Sequence, residues 1–338
     1  MESLALRLDL SDEAIQYPYK EESQVYEKYG FIPELIPLYQ LYPDVWIRRF
    51  LDVYLWFKQI EICRAVAKFP AVTVRSCHES GKSFIAGCLT VWFFLMFKDA
   101  KIITTAPTGR QVKKVLWSEI GRQHKVLMDK VANPGELFQT ELRGSSTNWA
   151  IGFSTDEGNA FQGFHELNLL AIFDEACGIS REIYTAAEGV VMDGGNKQLL
   201  IGNPTHPNTY FHQTHTGEIP GFYRIKISAY DSPNIAINEK GEYYDIEPLP
   251  FPKLVKMKWV NRMLRTYGPR DPQVISRVFG EFPSAAPNQL IDDEAITMAA
   301  VKGATIRKVV GRLGSGKDII SPEEIRVMNQ RMEYTDDV

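Results

Sequence analysis

From about residue 50 onward, short apolar runs alternate with stretches of helical periodicity. Residues 52–69 repeat apolar positions at helical spacing. Ala71–Ser76 (AVTVRS) is a short β-branched run and predicts a strand. A glycine-containing turn follows, then an apolar helix from Lys82. Lys101–Thr105 (KIITT) predicts a second strand, Ala106–Gln111 a loop, the stretch to about Lys130 a helix, and Asn148–Ser154 a third strand. Asn168–Phe173 (NLLAIF) and Gln198–Gly202 (QLLIG) are continuously apolar. Strands of that kind are buried on both faces, so the pattern predicts an α/β fold with a mainly parallel sheet and helices on both sides. The polar signals follow the strands, where such folds carry their working loops. The most apolar run, Phe84–Phe97, has 14 residues and is too short to span a bilayer.

Composition narrows the function. With 338 residues and 44% hydrophobic content, the chain can bury one large core, or a core and a small appendage. A net charge of -4 argues against a basic wrapping protein, so a nucleic-acid partner has to meet a local basic patch. Cys63, Cys77, Cys88 and Cys177 form no CxxC pair, which suggests neither zinc nor a disulfide framework and fits a reducing cytoplasm. The first residues include early acids and no long apolar stretch, unlike a signal peptide. Residues 1–50, rich in Tyr, Pro and Glu, read as a lead-in of short helices and loops.

The strongest chemical signal is Ser80-Gly81-Lys82-Ser83, between strand and helix. A phosphate loop needs inward backbone amides, a helix N-terminus, a lysine for the β/γ-phosphates and a hydroxyl for Mg2+; Lys82 and Ser83 fit the last two roles. Ser76 stands where the full motif has glycine. Gly314-Ser315-Gly316-Lys317 looks similar but is followed by Asp318 and lacks a leading strand, so it reads as a flexible turn. Asp174-Glu175 ends the apolar strand Leu169–Phe173. Asp174 is a candidate for holding Mg2+ and Glu175 for activating water; a helix N-cap with an acidic first turn is the alternative. Two acids in series argue against a kinase-like transferase, which needs no water-activating glutamate. Asn203 and Thr205, after the next strand, are candidates for sensing the γ-phosphate, against an ordinary Asn-Pro turn. His206, His212 and His215 invite a metal reading, but their loop offers no further ligand set except Glu218. The aromatic residues of 222–230 read as packing on the sheet.

In order and spacing, several segments resemble the ATPase domain of the large terminase subunit of tailed bacteriophages. They are Ser76–Ser83, Thr104–Thr108 with Arg110–Val112, Phe161–His165 before Asp174–Ala176, Gly202–Thr205, and Gly280–Pro283. The resemblance covers about residues 50–290, and the ordered set is specific although each piece alone is weak. It implies an ASCE-type P-loop NTPase spanning 51–285, with ATP and Mg2+ as cofactors and a nucleotide site of Gln59, His78, Glu79, Ser80, Gly81, Lys82 and Ser83. Gln59 takes the place of an adenine-reading glutamine, against an ordinary exposed helix residue, and Asn203 falls in the motif coupling hydrolysis to movement. It further implies double-stranded DNA, a portal protein, a small terminase subunit, a homo-oligomeric (pentameric) ring, no membrane, and a site of action in the host bacterial cytoplasm.

Two departures from the pattern matter. His78 stands where many terminases have a P-loop arginine, so the transition-state cation has to come from elsewhere; Arg143 and Arg181 are the arginine-finger candidates. A nuclease domain needs on the order of 150 residues, and only 55 follow Pro283, so 286–338 reads as a linker or the start of a missing nuclease domain, and no nuclease activity is expected. Asp292–Glu294 read as a helix start, and Asp336-Asp337 as tail. A helicase-like P-loop ATPase, or a scaffold with a degenerate loop, are the competing readings.

Overall fold

The computed structural model describes residues 35–154, 168–191 and 196–284. Except for Ser284 these belong to one unit that ends at Pro283. Phe161–His165, Asp292–Glu294, Gly314–Lys317 and Asp336-Asp337 lie outside the described residues, as does the segment 286–338.

Two short helices open the described chain, α1 (Ile36–Leu41) and α2 (Pro43–Leu51). Each carries proline at its start, where the missing N–H costs nothing. Pro37 and Pro43 thus mark helix starts. Helix α3 (Phe57–Lys68) leads into strand β1 (Ala71–Ser76), and the phosphate-loop segment into α4 (Lys82–Met96). After β2 (Lys101–Ala106) a helical stretch α5 runs through Gly109–Gln111, Val112–Leu116 and Trp117–Leu127, the middle segment with π-type bonding. The expected loop at 106–111 therefore shrinks to Pro107 and Thr108, whose hydroxyl caps the helix by accepting from the Gln111 amide.

Short strands β3 (Glu136–Leu137) and β4 (Glu141–Arg143) precede β5 (Trp149–Ser154) and β6 (Leu169–Phe173). Then come α6 (Arg181–Val191), β7 (Lys197–Gly202), α7 (Tyr210–Thr216) and β8 (Phe222–Ile227). A separate hairpin, β9 (Ile235–Ile237) with β10 (Tyr243–Asp245), precedes α8 (Met257–Tyr267) and α9 (Pro272–Arg277).

The sheet order is β3-β4-β5-β2-β6-β7-β1-β8. From β5 to β8 every pairing is parallel; β3 and β4 add an antiparallel edge. Strand β7 lies between β1 and β6, which is the ASCE-type arrangement within an α/β P-loop NTPase fold. The two faces of the sheet show in the alternation of side chains. Leu170, Ile172, Leu199 and Ile201 join the large core with α1–α5, while Leu169, Ala171, Phe173 and Leu200 join a second core with residues of α6 and α7. Residues 222–227, read as aromatic packing, form strand β8 itself, with Tyr223 stacked on Phe69 at 4.4 Å.

Helices α1 and α2 are built into the large core. Tyr39, Trp46, Ile47 and Phe50 are fully buried, and the Trp92 indole donates to the Tyr39 carbonyl at 2.8 Å. Arg64 on α3 ties down Asp44 of α2 through two hydrogen bonds, at 3.0 and 2.8 Å. Emptying the Trp46 site removes a large side chain stacked on Phe50. Trp46→Ala is expected to lower stability by about 3–5 kcal/mol, read by urea denaturation of the full chain. A loss near zero means that α2 is a dispensable lead-in.

Candidate nucleotide site

Three strand ends converge on one place. The loop after β1 is held at its base: the Cys77 amide donates to the Ile227 carbonyl and the His78 amide to the Arg277 carbonyl, both at 2.8 Å. The amides of Glu79, Ser80 and Gly81 have no backbone acceptor among the described residues. They lie at the N-terminus of α4, a setting suited to an anion. Gly81 has φ +80, and a Cβ there would meet the Gln59 amide at 2.5 Å. The left-handed backbone is what requires glycine, since the end of the Gln59 side chain can shift.

Ser76, in the place of the missing glycine, is fully buried and accepts a hydrogen bond from the Ser80 hydroxyl at 3.0 Å. The hydroxyl pair braces the loop from within.

Lys82 is 8% exposed, and its Nζ donates to the Cys77 carbonyl and to Asn203 Oδ1, each at 3.3 Å. The Asn203 amide nitrogen donates in turn to the Ser76 carbonyl at 2.7 Å. Asn203 therefore spans β7 to the end of β1. Thr205 turns the other way, its amide donating to the Asn203 carbonyl at 2.9 Å and its hydroxyl meeting His206 Nδ1 at 2.9 Å.

The Ser83 hydroxyl donates to Asp174 Oδ2 at 3.0 Å. Asp174 is 1% exposed, and burial, then the neighbouring Glu175 charge, pushes its carboxyl up to about 6. A hydroxyl and a buried carboxylate side by side fit a hard divalent cation that takes its remaining oxygens from phosphate and water. Among the described residues no group of three His, Cys, Asp or Glu side chains gathers as a metal site. Glu175 sits in the left-handed region at φ +50, and its amide donates to Asp174 Oδ1 at 3.0 Å. The Tyr184 hydroxyl fixes the following residue by donating to the Ala176 carbonyl at 2.6 Å. A Cβ on Gly202 would lie 2.9 Å from the Ala176 amide nitrogen, so β7 and the acidic turn approach as closely as glycine permits.

Gln59 is 4% exposed, with its amide 3.4 Å from the Gly81 carbonyl, which sets it against the loop and removes the reading of an ordinary exposed residue. His78 packs against Trp259 at 5.9 Å, and burial followed by the Lys82 charge lowers its pKa, so the imidazole is neutral near pH 7. Glu79 is exposed with φ +52.

The arginine-finger candidates lie apart. Arg181 starts α6 and bonds Gln213 at 3.1 Å. Arg143 pairs with Glu141 on β4, five strand positions from β1, or roughly 24 Å at the usual strand spacing. The three histidines are not brought together as a metal set: His215 bonds Thr73 at 3.0 Å and packs on Phe211, and burial lowers its pKa to about 3. Glu281, unremarked as a charge in the sequence, pairs with both Arg75 and Lys226, joining the segment after α9 to β1 and β8.

No protein-family model matches the chain. A probable large terminase subunit of Enterobacteria phage P7 is 26% identical over 297 residues, which is 78% of this chain and 56% of that protein. The chain thus spans little more than half the length of that curated relative. The large terminase ATPase domain of Thermus phage P74-26 superposes with a TM-score of 0.55 at 16% identity, covering 72% of this chain and 99% of that one. A mutant of the same domain gives a TM-score of 0.54, also at 16% identity, covering 72% of this chain and 100% of that one. Among the described residues no helix is long and apolar enough to cross a membrane. The chain is thus similar in sequence to a probable large terminase subunit of a bacteriophage, and its fold is that of a large terminase ATPase domain.

Proposed function

We propose that this chain is the ATP-hydrolysing motor of viral genome packaging, moving double-stranded DNA into a procapsid. The observation that carries the reading is the Asn203 amide, bridging the Lys82 amine and the Ser76 carbonyl beside the Ser83–Asp174 pair.

In this reading the amides of residues 79–83 and the α4 N-terminus receive the phosphates, and Gln59 reads adenine. Lys82 exchanges Cys77 and Asn203 for the β/γ-phosphate oxygens. Ser83 and Asp174 would hold Mg2+, which when bound neutralises charge on the β- and γ-phosphates. Glu175 orients the attacking water and takes its proton.

The neutral His78 supplies no cation, so an arginine from elsewhere completes the site: Arg143, at the far edge of its own sheet, has to come from a neighbouring copy, and Arg181 has first to leave Gln213. A ring of copies, pentameric by resemblance, brings that edge to the next subunit. Loss of the γ-phosphate lets Lys82 return to Asn203, and this exchange moves the segment 203–205 between two states; Thr205 shares in it through its bond to Asn203. Portal protein and small terminase subunit are the expected partners, in the host bacterial cytoplasm.

The direct test is packaging of duplex DNA into purified procapsids with the complete packaging set, with and without this chain. ATP-dependent protection of DNA only when the chain is present is expected; protection without it refutes the reading.

Lys82→Ala and Glu175→Gln should both abolish turnover yet separate in binding. Lysine contacts phosphate in the ground state, so its loss weakens ATP affinity, on the order of tenfold or more, whereas the glutamine variant binds and retains ATP. Equal affinity losses contradict these roles.

Asp174→Asn separates stability from function. The carboxyl titrates at about 6 in the folded protein, above its ordinary value near 3.8, so the folded state holds a proton the unfolded chain releases. Its ionisation therefore costs stability as pH rises through that window. The asparagine variant should be more stable than wild type by about 3 kcal/mol at pH 8 without ligand, with the difference gone by about pH 3. It should also lose the Mg2+-dependent part of ATP stabilisation. A variant less stable at pH 8 in a thermal melt contradicts the assignment.

A further inference from the structure

The segment Lys253–Arg270 carries six basic residues and no acid, in a chain of net charge -4. Helix α8 sorts them. Met257, Val260 and Met263 face the core, while Lys258, Arg262 and Arg265 recur on the opposite face at i, i+4 and i+7 and are exposed. The stripe is about 10 Å long at the rise of a helix. Among the described residues none of the three forms an ion pair with a carboxylate. Beside them β10 presents Tyr243 and Tyr244, 44% and 48% exposed, and with Lys256 these side chains line an open groove of about 890 Å³. The acid on its wall, Asp245, accepts from the Met257 and Lys258 amides at 2.5 and 3.1 Å, so its charge is engaged by the α8 N-terminus.

A linear array of unpaired cations beside tyrosines matches a polymer of regularly spaced phosphates. Arginine and lysine neutralise such charges, and tyrosine hydroxyls bond phosphate oxygens. A lipid surface fits less well, because the polar Asn261 and Thr266 share the outer face of α8 with the cations.

We propose that the outer face of α8 and the tyrosine edge of β10 bind the sugar–phosphate backbone of double-stranded DNA. This rests on the reading of the chain as a DNA-moving ATPase. The same helix touches the phosphate loop through the Trp259–His78 contact, and just ahead of it the Val255 amide donates to the Glu79 carbonyl at 3.1 Å. Backbone contact on one side of α8 and nucleotide state on the other therefore act on one element.

The test uses the full chain and a random-sequence duplex, with affinity followed by fluorescence anisotropy across a salt series, for wild type and the triple variant Lys258→Gln, Arg262→Gln, Arg265→Gln. Glutamine keeps helix propensity, and ATP binding by the variant checks its fold. The variant should bind DNA on the order of tenfold more weakly, with the log–log salt slope reduced by about 1 for each side chain removed, roughly 3 in all. Unchanged DNA affinity and slope overturn the proposal. If sedimentation then shows the triple variant losing self-association, the stripe faces a second copy instead. Wild-type ATP hydrolysis with no DNA binding also overturns this proposal while leaving the ATPase reading intact. DNA binding through the stripe without hydrolysis supports it and defeats the ATPase reading.

Discussion

The phosphate loop is organised around the amine of Lys82. A lysine amine that is almost out of solvent has to find its acceptors in the protein, because an unmet buried donor costs about 1–3 kcal/mol. Lys82 finds two, the Cys77 carbonyl and Asn203 Oδ1, both 3.3 Å away. These are long contacts, so they hold the amine without gripping it. Phosphate oxygens are stronger, charged acceptors. The loop thus keeps the Lys82 amine poised, with Asn203 already attached to it.

Sheet order makes that attachment available. With β7 inserted between β1 and β6, the residue after β7 falls between the phosphate loop and the acidic turn after β6. Asn203 reaches Lys82 from one side, and Gly202 lets the Ala176 amide approach from the other. The loop, Asn203 and the acidic turn are packed closely, with little slack between them, so a displacement at one is felt at the others. Glu281 and α9 close the opposite flank, holding the base of the loop against β8.

Much of this was readable from residues alone. The strands ending at Phe173 and Gly202 announced themselves because both faces are buried, leaving apolar runs before polar turns, and the strand ending at Ser76 showed as a short β-branched run. Strand β8 did not. It is an edge strand whose Tyr223, Arg224 and Lys226 are exposed, and only Ile225 and Ile227 reach full burial, so its pattern is short and mixed. Helix α2 was hidden by Pro43, which signals a break and a helix start equally well. The burial of Gln59 and the double pairing of Glu281 depend on contacts across 22 and 206 positions, which no local pattern encodes. The spacing at 258, 262 and 265 was visible in the sequence as helical periodicity of cations, yet its neighbourhood with Tyr243 and Tyr244 arises only when the hairpin folds beside α8.

The central claim is that nucleotide arrival transfers Lys82 from Asn203 to phosphate. A crystal structure of the full chain with Mg2+ and a non-hydrolysable ATP analogue measures that transfer directly. The account predicts phosphates on the amides of residues 79–83, the Lys82 amine on phosphate oxygens and out of reach of Cys77, and density for the cation between Ser83 and Asp174. An analogue bound elsewhere, or bound here with Lys82 still on Asn203 and Cys77, contradicts it.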